Sequence, residues 1–209
     1  MVCIVAIAGS ISLKSYLHRH FHPEKSLPIL AHITNDLEAV ERSGTIVNTS
    51  TLRGKVCVIA YIYTVCPHGC AAVIGEMLKL KSEFRSRNDF HLVSITVVPE
   101  RDDIAFLRSY ADGIGLKPDD PWWFLTGVRE KLSRFITDEI KLEPSVPIPE
   151  SKRLNPLDLY EHDLRIALVD RGGNVRGYYA VFHPQTEIAE LFRKKLHKDT
   201  RRLLDDPAL

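Results

Sequence analysis

The run VCVIAYIY, from Val56 to Tyr63, constrains the fold of this chain more than any other stretch. It carries no charge and is rich in β-branched and aromatic residues. A strand with one wet face would alternate polar and apolar positions, so this one reads as a central strand covered on both faces. Directly behind it lie TVCPHGC and then AAVIGEMLKLKSEF, in which Val73, Met77, Leu80 and Phe84 recur at helical spacing. The order is strand, cysteine pair, helix. Pro67 suits the first turn of that helix, where its missing N–H is not needed.

The rest of the chain extends the pattern. HITNDLEAVERSGTIVNTSTLRGK reads as an opening hairpin with a Ser-Gly turn, and FHLVSITVV as a second core strand. RDDIAFLRSYADGIG predicts a helix with Asp102 as N-cap and Gly113 as stop. WWFLTG is a short strand, and VREKLSRFITDEI a helix with Val128, Leu132 and Phe135 on one side. KLEPSVPIPESKRLNPLDLYEHD holds four prolines and no periodicity, which predicts a long surface loop. LRIALVD and VRGYYAVF, joined by RGGN, form a hairpin, and Thr186 caps a last basic helix from Glu187 to about Leu204. Together these give a three-layer α/β domain with a mixed sheet. A cysteine pair opening the helix behind a central strand is how thioredoxin-type domains present their chemistry.

At 209 residues and 44% hydrophobic content, the chain can bury one sizeable core. A net charge of +1, without basic runs interleaved with aromatics, makes nucleic acid a poor partner. Nothing in the pattern signals oligomerisation, so a monomer is expected. Val2 to Leu13 is uncharged but shorter than the roughly 20 apolar residues of a spanning helix. It has no basic stretch in front, as a signal peptide would. Residues 1–25 are therefore read as a truncated membrane anchor and tether, and 26–209 as the folded domain. Lys14 and Arg19 would by themselves argue for a domain staying inside. His18, His20 and His22 share a face only in an extended chain and are read as solvated tether.

Four cysteines do not make a disulfide framework in a chain of this size, and Cys57 reads as a small buried hydrophobe. The chemistry narrows to Cys66 and Cys70. Four apart at a helix N-terminus, both would share one face, and the dipole there favours thiolates. Three readings stay open: a structural disulfide, a dithiol oxidoreductase, and a metal site. A bridge closing so small a loop gains little entropy. The usual redox spacing has two intervening residues, and here there are three. Two thiolates select soft ions such as Cu(I), with an imidazole as the natural third ligand. His162, at the end of the proline-rich loop, is in a position to supply it, although a lone histidine at a loop–strand junction more often simply bonds at the surface.

LRGKVCVIAYIYTVCPHGC, VPERDDIAFLRSYA, WWFLTG and EHDLRIALVDRGGNVRGYY resemble, in order and spacing, the Sco/SenC family of copper-binding thioredoxin-like proteins. The resemblance covers Ser26 to about Leu196. It implies a thioredoxin-like fold with an N-terminal hairpin extension, and copper, as Cu(I) or Cu(II), held by Cys66, Cys70 and His162. It further implies delivery of copper to the copper-site subunit of cytochrome c oxidase, or to another copper protein. The alternative is metal-free reduction of a partner's thiols by Cys66 and Cys70. The implied location is a membrane-anchored domain facing the periplasm or the mitochondrial intermembrane space. Two features depart from the family's pattern. Val98-Pro99 stands where the family usually has Asp-Pro, so a carboxylate near the site is lost. His68 and Gly69 fill the middle of the motif, and His68 is expected to point to solvent.

Overall fold

The computed structural model describes residues 27–206. The expected anchor and tether, with its three alternating histidines, lie outside the described residues. The strands are β1 (Ala31–His32), β2 (Glu38–Glu41), β3 (Ile46–Asn48), β4 (Val56–Ile62), β5 (Phe90–Thr96), β6 (Trp122–Thr126), β7 (Val146–Pro147), β8 (Tyr160–Glu161), β9 (Ile166–Val169) and β10 (Asn174–Tyr179). The α-helices are α1 (Cys70–Glu83), α2 (Ile104–Gly113), α3 (Arg129–Arg134) and α4 (Thr186–Asp205).

One eight-stranded sheet runs β1-β10-β9-β4-β5-β6-β2-β3. β4, β5 and β6 are parallel, and β9 lies antiparallel on the other side of β4. The mixed sheet expected from the sequence is therefore present, with the hairpin β9–β10 supplying its antiparallel half. The expected N-terminal hairpin is β2–β3, which turns at Gly44 with φ 92° and adds to the β6 edge. β1 instead crosses to the opposite edge and pairs with β10.

All seven residues of β4 are buried, and their alternation feeds two cores. Val56, Val58, Ala60 and Ile62 pack with Val73, Met77 and Leu80 of α1, Leu107 of α2 and Leu196 and Leu203 of α4. Cys57, Ile59 and Tyr61 face the other layer, with Leu132, Phe135 and Ile136. Met77 and Leu80 have no exposed surface, and each such side chain contributes roughly 1.5–3 kcal/mol over its exposed state. Burying one face of α1 so completely fixes its N-terminus, and with it Cys70, against the end of β4.

Several boundaries differ from the sequence reading. The helix behind β4 begins at Cys70, so Cys66 and Pro67 lie in the preceding turn, which the Cys66 N–H closes onto the Tyr63 carbonyl at 3.0 Å. The N-cap of α2 is Asp103, whose carboxylate accepts the Phe106 N–H at 2.8 Å. Asp102 is instead fully buried beneath the cysteine turn. After α3 the helix widens into a π turn over Phe135–Glu139, and Val128, expected on its buried side, is exposed. Thr186 is the first residue of α4 rather than its cap. The proline-rich loop is not structureless: β7 and β8 pair antiparallel, Val146 with Glu161 and Pro147 with Tyr160, folding residues 143–163 into a flap.

Candidate metal centre

β4 and β9 bring the centre together. Because they are antiparallel neighbours, with Ala60 opposite Ile166, the carboxyl end of β4 and the amino end of β9 share one edge of the sheet. Cys66 and Cys70 follow β4, and His162 precedes β9.

Cys70, in the first turn of α1, is 4% exposed, and its sulfur accepts the Tyr63 N–H at 3.4 Å. Cys66 is partly exposed, and its sulfur takes the N–H of His68 at 3.4 Å. His162 places Nε2 3.3 Å from the Cys70 sulfur. Its Nδ1 lies 3.1 Å from the Asp163 carbonyl. A carbonyl only accepts, so in the neutral ring Nδ1 carries the hydrogen and Nε2 turns a lone pair toward the sulfurs. The three donor atoms all lie within 4.8 Å of one another. An ion bound to three such donors at about 2.3 Å would set them roughly 4 Å apart, so small side-chain movements suffice. The convergence does not come from helical spacing, as the sequence suggested, because only Cys70 is helical.

The thiols are unequal. The neighbouring Cys70 thiol, with the His68 N–H directed at its sulfur, holds Cys66 well below the ordinary thiol range despite partial burial. Cys70 is pushed up by its closeness to Cys66 and by its own burial. Cys66 is thus the more exposed and more acidic thiol, and Cys70 the buried and less acidic one. Cys57, raised to about 12 by burial, is inert, as a core cysteine should be. All three are free thiols.

Tyr61 stands edge-on to the His162 ring, with centroids 5.8 Å apart and planes at 79°, and its hydroxyl meets the Ser145 hydroxyl at 3.4 Å. The Tyr63 hydroxyl donates to the Leu157 carbonyl. Under the turn, Asp102 accepts from the hydroxyls of Thr64 at 2.5 Å and Thr96 at 2.6 Å. That carboxylate ties the turn after β4 to the end of β5. Val98, the departure from the family's Asp, is buried among apolar side chains. His68 is exposed, as expected, but its Nε2 also lies 3.0 Å from an oxygen of Asp158. A cleft of about 640 Å³ opens between turn and flap, with Cys66, His68 and His162 on its walls and Val146, Leu164 and Phe182 at its apolar rim.

Sequence reasoning singled out the three donors but missed Tyr61, Tyr63, Asp102 and Asp158 as their supports. Asp102 gave a signal that was read as a helix cap. Asp158 gave none.

The family model described as SCO1/SenC matches residues 28–197. The chain belongs to the SCO1/SenC family. A "Putative copper-binding protein" of Stutzerimonas stutzeri is 30% identical over 149 residues, covering 68% of this chain and 66% of its own. BsSco, described as a member of the Sco family of cytochrome c oxidase assembly proteins, superposes with a TM-score of 0.66 at 22% identity, covering 85% of this chain and 96% of its own. Copper-bound ScoI of Bradyrhizobium japonicum gives a TM-score of 0.57 at 23% identity, over 78% of this chain and 98% of its own. At those identities the structural likeness establishes the fold, the thioredoxin-like SCO1/SenC architecture expected from the sequence. The Cys-Cys-His cluster sits within the span that the SCO1/SenC model matches.

Proposed function

We propose that the protein is a copper metallochaperone whose ligands are Cys66, Cys70 and His162. The observation that carries this reading is the convergence of two sulfurs and one imidazole nitrogen within 4.8 Å. Soft thiolates select Cu(I), and an imidazole lets the same set accept Cu(II). The sulfurs sit on a turn braced by Asp102 and by the buried start of α1, whereas His162 is carried by the flap. Lifting the flap would remove one donor and leave the ion on two thiolates, open to exchange with a recipient's thiolates. Delivery to the copper-site subunit of a cytochrome c oxidase, or to another copper protein, follows the family's role. In that role residues 26–209 would form the copper-binding domain, held by residues 1–25 at a membrane and facing the periplasm or intermembrane space.

A second reading is supported by the inequality of the thiols. As a dithiol reductant, the Cys66 thiolate attacks a partner disulfide and releases one partner thiolate, forming a mixed disulfide. Cys70 then loses its proton and displaces the second partner thiolate. The partner leaves as a dithiol, and Cys66–Cys70 as a disulfide. This path has no use for His162.

Titration of the reduced full chain with Cu(I), against a chromophoric competitor under anaerobic conditions, separates the two. The chaperone reading expects one tightly held equivalent, and at least tenfold weaker binding for His162→Ala. No tight equivalent in the wild type would overturn it, and unchanged affinity in the variant would remove His162 from the site.

A further inference from the structure

His68 lies midway between the two cysteines, and its ring faces the flap. Its Nε2 meets one oxygen of Asp158 at 3.0 Å, and the other oxygen accepts the Leu154 N–H at 3.0 Å. Asp158 itself is fully buried. Its own N–H goes to the Asn155 carbonyl, and the Asn155 side chain accepts from the Leu157 N–H. Residues 154–158 thus form a tight turn wrapped around one carboxylate, and the side chain that reaches that carboxylate from outside the flap is His68. The Tyr63 hydroxyl fastens the adjacent Leu157 carbonyl. From there Leu159 receives the Ile148 N–H, β8 runs along β7, and His162 follows.

We propose that His68 is a positioning residue: with Asp158 it forms a latch that holds the flap closed on the cysteine turn and presents His162 to the metal. The inference rests on the copper reading above. Without the imidazole this buried carboxylate keeps the Leu154 N–H on one oxygen but loses its side-chain donor on the other, which is costly, so the imidazole stabilises the closed flap. With the latch made, three donors are assembled before the ion arrives, and the cost of ordering the flap is not charged against binding. With the latch broken, His162 becomes a part-time ligand and the ion is left on two sulfurs. His68 therefore acts through His162 and is not itself a ligand.

The test uses the reduced, metal-free full chain and its Cu(I) complex. In His68→Ala, the amides of Ile148, Leu154 and Leu157 should exchange with deuterium at least tenfold faster than in wild type, while those of β4 and β5 keep their rates. Cu(I) affinity should fall about five- to tenfold. His68→Gln, whose amide can donate to the same carboxylate, should recover most of both. Within a His162→Ala background, His68→Ala should weaken Cu(I) binding no further, because the two residues act in series. Unchanged flap exchange in His68→Ala would overturn the latch, as would acceleration spread equally over β4 and β5. So would two affinity losses that multiply, which would make His68 an independent ligand. If flap exchange responds as expected but wild type binds no Cu(I), the latch stands and the copper reading falls.

Discussion

Replacing His91 by leucine should flatten the acid limb of the stability curve. His91 sits in β5 opposite Cys57, 6% exposed, edge-on to Trp123 with centroids 4.8 Å apart. Neither ring nitrogen meets a hydrogen-bond partner among the described residues. Burial, and then the positive charges of Lys55 and Arg42, push its pKa down from 6.5 to about 3. Below pH 6.5 the unfolded chain therefore takes up a proton that the folded chain refuses until about pH 3. The unfolded state binds more protons throughout that window, so stability falls as pH falls. At pH 5 the unfolded state has gained about 1.5 pH units of protonation free energy, or roughly 2 kcal/mol. His91→Leu removes this dependence. It also removes two unpartnered nitrogens and one aromatic edge contact of about 0.5–1.5 kcal/mol, but those effects do not vary with pH. Guanidinium unfolding of the reduced, metal-free protein, followed by tryptophan fluorescence at pH 8 and pH 5, isolates the difference. The wild type should lose about 2 kcal/mol more than the variant between the two. Equal losses would show that His91 is protonated or hydrated in the native state, and the burial argument would fail.

Gly69→Ala should disturb the centre from behind. A Cβ there would lie 2.5 Å from Phe182 Cδ1 and 2.7 Å from Leu164 Cδ1, although the backbone (φ −128°, ψ −3°) would accept alanine. Chemical unfolding should show a loss of about 1–3 kcal/mol. Competition titration should show weaker Cu(I) binding, since Leu164 follows His162 by two residues, and unchanged values for both would mean that Phe182 simply swings into solvent. On the far side of α1, His197 bonds Glu76 at 2.9 Å through Nε2 and Glu83 through Nδ1, and these carboxylates raise its pKa against the effect of burial. A raised folded pKa gives stability that is complete below about 6.5 and is lost as pH rises through the folded value. Thermal midpoints of the wild type should therefore decline from pH 6.5 upward, and His197→Gln should lose that slope. Parallel curves would refute the assignment.

What was legible in the sequence was what short-range pattern encodes. β4 could be read because eight neighbouring residues carry the whole signal, and α1 because its apolar stripe repeats every three or four positions. The donors were visible for a different reason: cysteine pairs are rare, and a family resemblance pointed to His162. Supports of the site were invisible because each depends on a partner far along the chain. Asp102 and Asp103 differ in role only because one faces inward to Thr64 and Thr96 and the other faces the first turn of α2. Four prolines without periodicity predict a long surface loop, but not the pairing between residues fifteen and thirteen apart, Val146 with Glu161 and Pro147 with Tyr160, that orders it. His68 is exposed as its sequence context suggests, but its bond to Asp158 was invisible because that partner lies 90 positions away. Cys66 falls outside the helix: its N–H closes a turn onto Tyr63, and the helix begins only at Cys70.

The antiparallel pairing of β4 with β9 assigns different parts of the chain different freedom to vary. A slip of β9 by one residue would carry the imidazole about 3.3 Å along the sheet and reverse every side chain of the strand. No rearrangement of the turn could follow it. The flap, by contrast, leaves and returns at fixed points, so under the copper reading proposed above insertions or deletions there would change how His162 is presented rather than where the two sulfurs lie. Ladder hydrogen bonds fix where the three side chains meet, and the excursion between α3 and β9 is where length can vary.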